Sequence, residues 1–224
     1  MATSRRSFIL RHTSLRAVPG IPGLSLHLTD DVLALWRALQ VETKDQETAL
    51  PYWSLAWGGG LALAHYLRDH PEVVAGRRVF ELAAGSGLCS IVAAQAGAAP
   101  VVANDIDPFA TASIALNAKA NRSRVDVSLR DVLDEAPPDV DVVLAGDSWY
   151  TAELAGRVLP WLRRAGAVGI EVLVGDPGRN HLPTDALDEV AGYDVRTTSD
   201  LEDLRFTTAR VYRLRPGPGV RPGP

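Results

Sequence analysis

Residues 79–107 limit the folds open to this chain more than any other stretch. Val79-Phe80-Glu81-Leu82 is an apolar strand pattern carrying one acid. Ala83-Ala84-Gly85-Ser86-Gly87 is a turn of small residues, and an apolar helical run follows it. Val101-Val102-Ala103-Asn104-Asp105-Ile106-Asp107 then reads as a second strand ending in carboxylates. Strand, glycine turn, helix and strand in that order make a parallel crossover, which brings the turn and both strand ends to one edge of a sheet. Gly85 and Gly87 leave the backbone bare where a ligand has to come close. Asp105 stands where a carboxylate can grip the two hydroxyls of a ribose.

The rest of the chain extends this alternation. A strand is expected over 24–28, then a helix capped by Thr29 or Asp30 with Val32, Leu35, Trp36 and Leu39 on one face. Residues 41–49 read as a loop, Gly58-Gly59-Gly60 as a surface loop near a ligand, and a helix runs from about Leu61 to before Pro71. Strands are expected over 78–82, 100–104, 125–130, 140–145 and 168–175, with helices over 88–96, 108–119 and 152–163. Asp107 before Pro108 is a good helix start. A helix over 185–191 and an antiparallel hairpin of strands 193–198 and 207–214 close the fold. The expected class is α/β, a seven-stranded, mainly parallel Rossmann-like sheet with a terminal antiparallel hairpin and helices on both faces. That is the architecture of class I methyltransferases. The expected organisation is a flexible segment 1–9, one domain over 10–215 and a disordered tail 216–224. Within the domain, 10–75 reads as an N-terminal lid or extension and 76–215 as the core.

Composition removes several alternatives. A net charge of −4 gives no basic footprint for a nucleic acid. No apolar run reaches the length of a membrane span. The single cysteine, Cys89, rules out an internal disulfide framework and reads as a small buried thiol. The five histidines lack metal-ligand spacing, so no metal is expected. Arg5, Arg6, Arg11 and Arg16 precede the first acid, Asp30, and read as a basic mobile tail. The resulting expectation is a cytoplasmic enzyme or binding protein.

Glu81, placed before the turn, favours S-adenosylmethionine over a dinucleotide. The former carries an ammonium and a sulfonium, where the latter carries pyrophosphate and favours G-x-G-x-x-G. Glu81, Ala83, Gly85 and Gly87 are then expected at the methionyl end, Asp105 at the ribose and Ile106 as an apolar wall for adenine. Asp131, with Val132, either meets the adenine amino group or is a solvated loop acid. Asp147 and Tyr150, after strand 140–145, can converge on one cleft and orient an amine for attack; alternatively, Asp147 caps a helix. Trp53 and Trp57 either close the sheet or line a ligand loop. Asp176-Pro177-Gly178-Arg179 is strong turn chemistry, and its place on the same edge gives it a substrate-side role, with Arg179 expected to meet an acidic partner.

Four segments together resemble one family. They are Pro51-Tyr-Trp-Ser-Leu-Ala-Trp57 with its three glycines, Ala103-Asn-Asp-Ile-Asp-Pro108, Gly146-Asp-Ser-Trp-Tyr150 and Gly175-Asp-Pro-Gly-Arg179. They look like the electron-transfer-flavoprotein β-subunit lysine methyltransferases, members of the seven-β-strand protein lysine methyltransferases. The likeness covers roughly residues 10–215. It implies S-adenosylmethionine, a protein-lysine acceptor, the family's D-x-x-Y motif on Asp147 and Tyr150, and its cofactor-side tryptophan on Trp57. Departures are Ala83-Ala84 in the glycine turn, Gly58 where the family commonly has proline, and Ser148-Trp149 inside the D-x-x-Y motif. A methyl on Ala83 is tolerable there if φ is negative. The alternatives are a small-molecule N-methyltransferase on the same fold and a non-catalytic cofactor-binding protein, with a dinucleotide oxidoreductase more distant. The acceptor's identity, its methylation state and the oligomeric state are not legible in the sequence.

Overall fold

The computed structural model describes residues 4–196 and 207–216. Its elements are α1 (Arg5–His12), β1 (Ser14–Ala17), β2 (Ser25–Leu28), α2 (Val32–Thr43), α3 (Gly58–Asp69), β3 (Val79–Leu82) and α4 (Leu88–Gln95). There follow β4 (Val101–Asp105), α5 (Pro108–Ala120), β5 (Asp126–Leu129), β6 (Val142–Gly146), α6 (Ala152–Ala167), β7 (Glu171–Asp176), β8 (Leu187–Val195) and β9 (Thr207–Leu214). Seven strands form one sheet in the order β5-β4-β3-β6-β7-β9-β8, while β1 and β2 pair separately. β3 to β7 are mutually parallel. β9 lies between β7 and β8 and runs antiparallel to both. The described residues therefore form the expected class I methyltransferase sheet with its closing hairpin.

Helices cover both faces, so the central strands are apolar on both sides. Side chains alternate between two cores with the period of a strand. Val79, Val142, Leu144 and Leu173 face one core with Leu61 and Leu67 of α3 and Ile91 of α4. Phe80, Val143, Ala145, Val172 and Val174 face the other with Val158, Trp161 and Leu162 of α6. The helix after β3 and the helix after β6 thus pack on opposite faces. Their entry loops diverge, and a crevice opens at the carboxyl ends of β3 and β6.

Several expectations need correction, among them the cap of α2, which is Asp31 and neither Thr29 nor Asp30. Residues 5–12 are a helix and not part of a loose leader: Ser4 caps it, and Phe8 and Ile9 are buried with Leu39, Trp53 and Phe109. Arg11 and His12 lie in its last turn, where they complement the carbonyl end of the helix. α2 continues to Thr43, three residues into the expected loop. Gly58-Gly59-Gly60 is the first turn of α3, with Gly58 and Gly59 buried, because the helix passes very close to the sheet edge. Residues 187–195, half expected as helix, are strand β8, since β9 offers a ladder along that whole length and Gly192 opposes a helix. Part of the predicted strand 193–198 and most of the predicted tail lie outside the described residues. Among the described residues, no helix is long and apolar enough to cross a membrane.

The N-terminal hairpin is pinned to α5 by two side-chain amides. Asn117 Oδ1 accepts from the His27 amide at 2.8 Å, and Asn121 Oδ1 accepts from the Ser25 amide at 3.0 Å. Through α2 and the aromatic segment after it, this anchored N-terminal part supplies one wall of the crevice. α3 differs from the rest of residues 10–75 in forming a full layer packed on β7, β8 and β9, while β2 sends Leu26 and Leu28 into the same main core.

Candidate active site

A cavity of about 820 Å³ lies over the carboxyl ends of β3, β4 and β6. Its size suits a small-molecule site. Trp57, Glu81, Ala83, Gly85, Asp105, Ile106, Asp131, Val132, Asp147 and Tyr150 all line it. Gly87 does not. Its φ of +77° is left-handed, and a Cβ there would press on Ile114 at 3.1 Å. Gly87 is thus required by the turn and by helix packing, without reaching the cavity.

Glu81 is buried at the end of β3, and its Oε2 accepts from the Ser90 amide at 2.8 Å and from the Ser90 hydroxyl. Burial pushes its carboxyl up to about 7, although the Ser90 hydrogen bonds oppose this. A cationic ligand group beside it would restore the charged form. Ala83 has φ +51°, so its methyl sits in the left-handed region and the negative φ anticipated for it is not adopted. The turn needs that conformation to swing away from the strand, and Ala83 carries the strain.

Asp105 is tied to the turn it was expected to complement. Its Oδ2 accepts from the Gly85 amide at 2.8 Å and its Oδ1 from the Asp107 amide at 2.9 Å. One lone-pair site on each oxygen is left over by these two bonds. Burial raises the Asp105 carboxyl, against the pull of those amides. Ile106 is 69% exposed on the rim of the cavity. Asp107 caps α5 through the Phe109 amide at 2.7 Å. Asp131 is less available than anticipated, because Arg157 donates to both its oxygens at 3.1 and 3.0 Å.

Asp147 follows β6 with φ +57°. It does cap a helix, though not the one that follows it in sequence. Its Oδ1 accepts from the Gly59 amide at 3.0 Å and its Oδ2 from the Gly60 amide at 2.7 Å, the first turn of α3. Thr151 caps α6 instead. Arg179 donates to Asp147 Oδ1 at 2.5 Å, so it is paired within the chain where an acidic partner was expected. Burial raises the Asp147 carboxyl and Arg179 opposes the rise. Tyr150 is half exposed, with its ring 5.4 Å from that of Tyr52, which in turn lies 5.7 Å from Trp57. The Trp57 indole N–H donates to the Tyr52 carbonyl at 2.9 Å. Burial, then Tyr52, raises the Tyr150 phenol. Trp149 is fully buried in the α6 core and does not line the cavity.

Residues that the sequence left outside the site, or in the case of Trp53 left open, also line it. Tyr52, Trp53, Phe109, Arg130 and Arg157 are among them, together with residues 47–50. The density of aromatics over 51–57 signalled the first two; nothing local signals the loop before them.

A family model described as ribosomal protein L11 methyltransferase matches residues 63–146, from α3 to the end of β6. An electron transfer flavoprotein beta subunit lysine methyltransferase from Xenopus laevis is 34% identical, over 96% of this chain and 89% of its own length. The human protein of that name is 36% identical over 74% of this chain and 66% of its own. This chain belongs to the electron transfer flavoprotein beta subunit lysine methyltransferase family. A Caenorhabditis elegans homologue in the same family is 27% identical over 93% and 95% of the two chains. Among solved structures, the ribosomal protein L11 methylase from Lactobacillus delbrueckii superposes with a TM-score of 0.51 at 19% identity, covering 72% of this chain and 82% of that one. That likeness places the family member's fold among methyltransferases. In this family member, both D-x-x-Y residues, Asp147 and Tyr150, stand on one cavity with the glycine turn.

Proposed function

We propose that this chain is an S-adenosylmethionine-dependent protein lysine methyltransferase, with the β subunit of electron transfer flavoprotein as the first acceptor to test. The observation that carries this reading is the row of carboxylates on one cavity: Asp105 beside the glycine turn, Glu81 at its floor and Asp147 at the end of β6. Three acids against an apolar wall suit a ligand bearing a ribose and two positive groups. The residues present therefore fit S-adenosylmethionine, which when bound supplies a methyl group on a positively charged sulfur.

In this reading Asp105 holds the ribose, Ile106 and Val132 flank the adenine, and Glu81 with the turn at Ala83 and Gly85 receives the methionyl end. Asp131 stays paired with Arg157, and so helps shape the adenine end more than it binds there. Asp147 and Tyr150 serve the acceptor. Asp147 already carries three donors, which makes it a poor base for removing a proton. It retains acceptor capacity to orient one amine N–H, and much of the rate gain comes from such alignment. Tyr150, whose phenol stays protonated at neutral pH, can hold the amine from the other side. Net charge and the single cysteine support a cytoplasmic setting.

The test is transfer of tritiated methyl from the donor to purified electron transfer flavoprotein and to a cell lysate, followed by amino-acid analysis. Label in methyllysine of a protein is the expected result. Label confined to small metabolites would point instead to a small-molecule N-methyltransferase, and donor binding with no label at all to a non-catalytic binder.

A further inference from the structure

The turn at residues 176–179 lies where β7 leaves the sheet, next to the end of β6. Gly146 and Gly175 are neighbours across those two strands, and the Asp147 amide donates to the Gly175 carbonyl at 2.9 Å. Asp176 is fully buried, and its Oδ1 accepts from the Gly178 and Arg179 amides, each at 2.7 Å. This closes the turn and aims the Arg179 side chain back toward β6. Arg179 Nη1 then reaches two carboxylates, Asp176 Oδ2 at 3.0 Å and Asp147 Oδ1 at 2.5 Å. The side chains of Asp147 and Arg179 are 13% and 19% exposed, so the pair is largely out of water. Both residues line the cavity.

Two buried carboxylates alone would repel each other, and burial would favour protonating one of them. The guanidinium between them, with the first amides of α3, offsets that tendency. These donors also fix where the Asp147 carboxylate sits: Gly59 and Arg179 on one oxygen, Gly60 on the other. The backbone of Asp147 is left-handed, so its side chain leaves the strand end at an unusual angle and needs such support.

We propose that Arg179 is a positioning residue for methyl transfer, clamping the Asp147 carboxylate at the cavity edge where it orients the acceptor amine. This inference rests on the lysine reading above. It makes Arg179 act through Asp147, without touching substrate or cofactor.

The experiment is a double-mutant cycle on the full chain with Arg179→Met, Asp147→Asn and the pair, followed by tritium transfer to the acceptor protein and by calorimetry with S-adenosylmethionine. Arg179→Met should lower kcat about 10- to 100-fold, with the donor's Kd changed less than about 3-fold. Arg179→Lys, which keeps one cation in place, should recover part of the loss. Adding Arg179→Met to Asp147→Asn should cost less than about 3-fold more, because the residue it acts through is already impaired. If the two losses multiply, or if kcat and donor affinity fall in parallel, the inference is overturned. Should Arg179→Met not fold, the same cycle with Arg179→Lys decides, and multiplying losses again count against it. An unaltered chain that labels no lysine overturns the lysine reading itself; an unaltered chain that labels lysine as fast as Arg179→Met overturns only the clamp.

Discussion

Glu81 and Ala83 each trade stability for a feature of the site. The Glu81 carboxyl titrates near 7 in the folded chain, above its ordinary 4.5, because it is buried. Between those two values the folded state holds more protons than the unfolded state, so stability falls as pH rises through that window. The full loss, reached above pH 7, is roughly 3 kcal/mol. Glu81→Gln should therefore raise the melting temperature of the ligand-free chain at pH 8 and leave it little changed near pH 4.5, while weakening S-adenosylmethionine binding in calorimetry. Ala83→Gly should relieve the left-handed methyl and stabilise the chain by up to about 1 kcal/mol in urea unfolding. The type of Glu81 and its place before the turn were legible in the sequence. The sign of φ at Ala83 was not, since it depends on how the turn leaves the strand. Nor was the grip on Asp147, which joins α3, β6 and the turn after β7 across long sequence separations.

At the scale of elements, the least expected feature is the start of α3. A run of three glycines opposes helix formation, and by local rules reads as a loop. Tertiary packing overrides that preference. A Cβ on Gly59 would overlap the Gly175 carbonyl, and one on Gly175 would overlap the Gly59 carbonyl. The helix start and the end of β7 thus touch backbone to backbone, and this contact presents the Gly59 and Gly60 amides to Asp147. Gly59→Ala has no conformational penalty within a helix but must force these backbones apart. It should cost about 1–3 kcal/mol in chemical denaturation. It should also reduce methyl transfer more than donor binding, because the displaced amides are those holding Asp147. The central βαβ units were readable because buried parallel strands and capped helices announce themselves locally. β8 and α1 were not. The former takes its conformation from the ladder with β9, and the latter was masked by three arginines around a short apolar run, Phe8-Ile9-Leu10.

Across the whole molecule, the sheet divides the work. One face and its helices form the main core, α6 builds the second, and the divergence between them opens the crevice over β3 and β6. Acids collect at that crevice, and the chain around them belongs to a family of lysine methyltransferases. The central claim is one of placement: adenosine toward Asp105 and the reactive sulfur toward Asp147. A crystal structure of this chain with S-adenosylhomocysteine tests it most directly. The account predicts both ribose hydroxyls within about 3.2 Å of Asp105 oxygens. It also predicts the ligand's sulfur on the Asp147 and Tyr150 side of Gly85. A ligand bound outside the cavity, or turned so that its adenine meets Asp147, would contradict it.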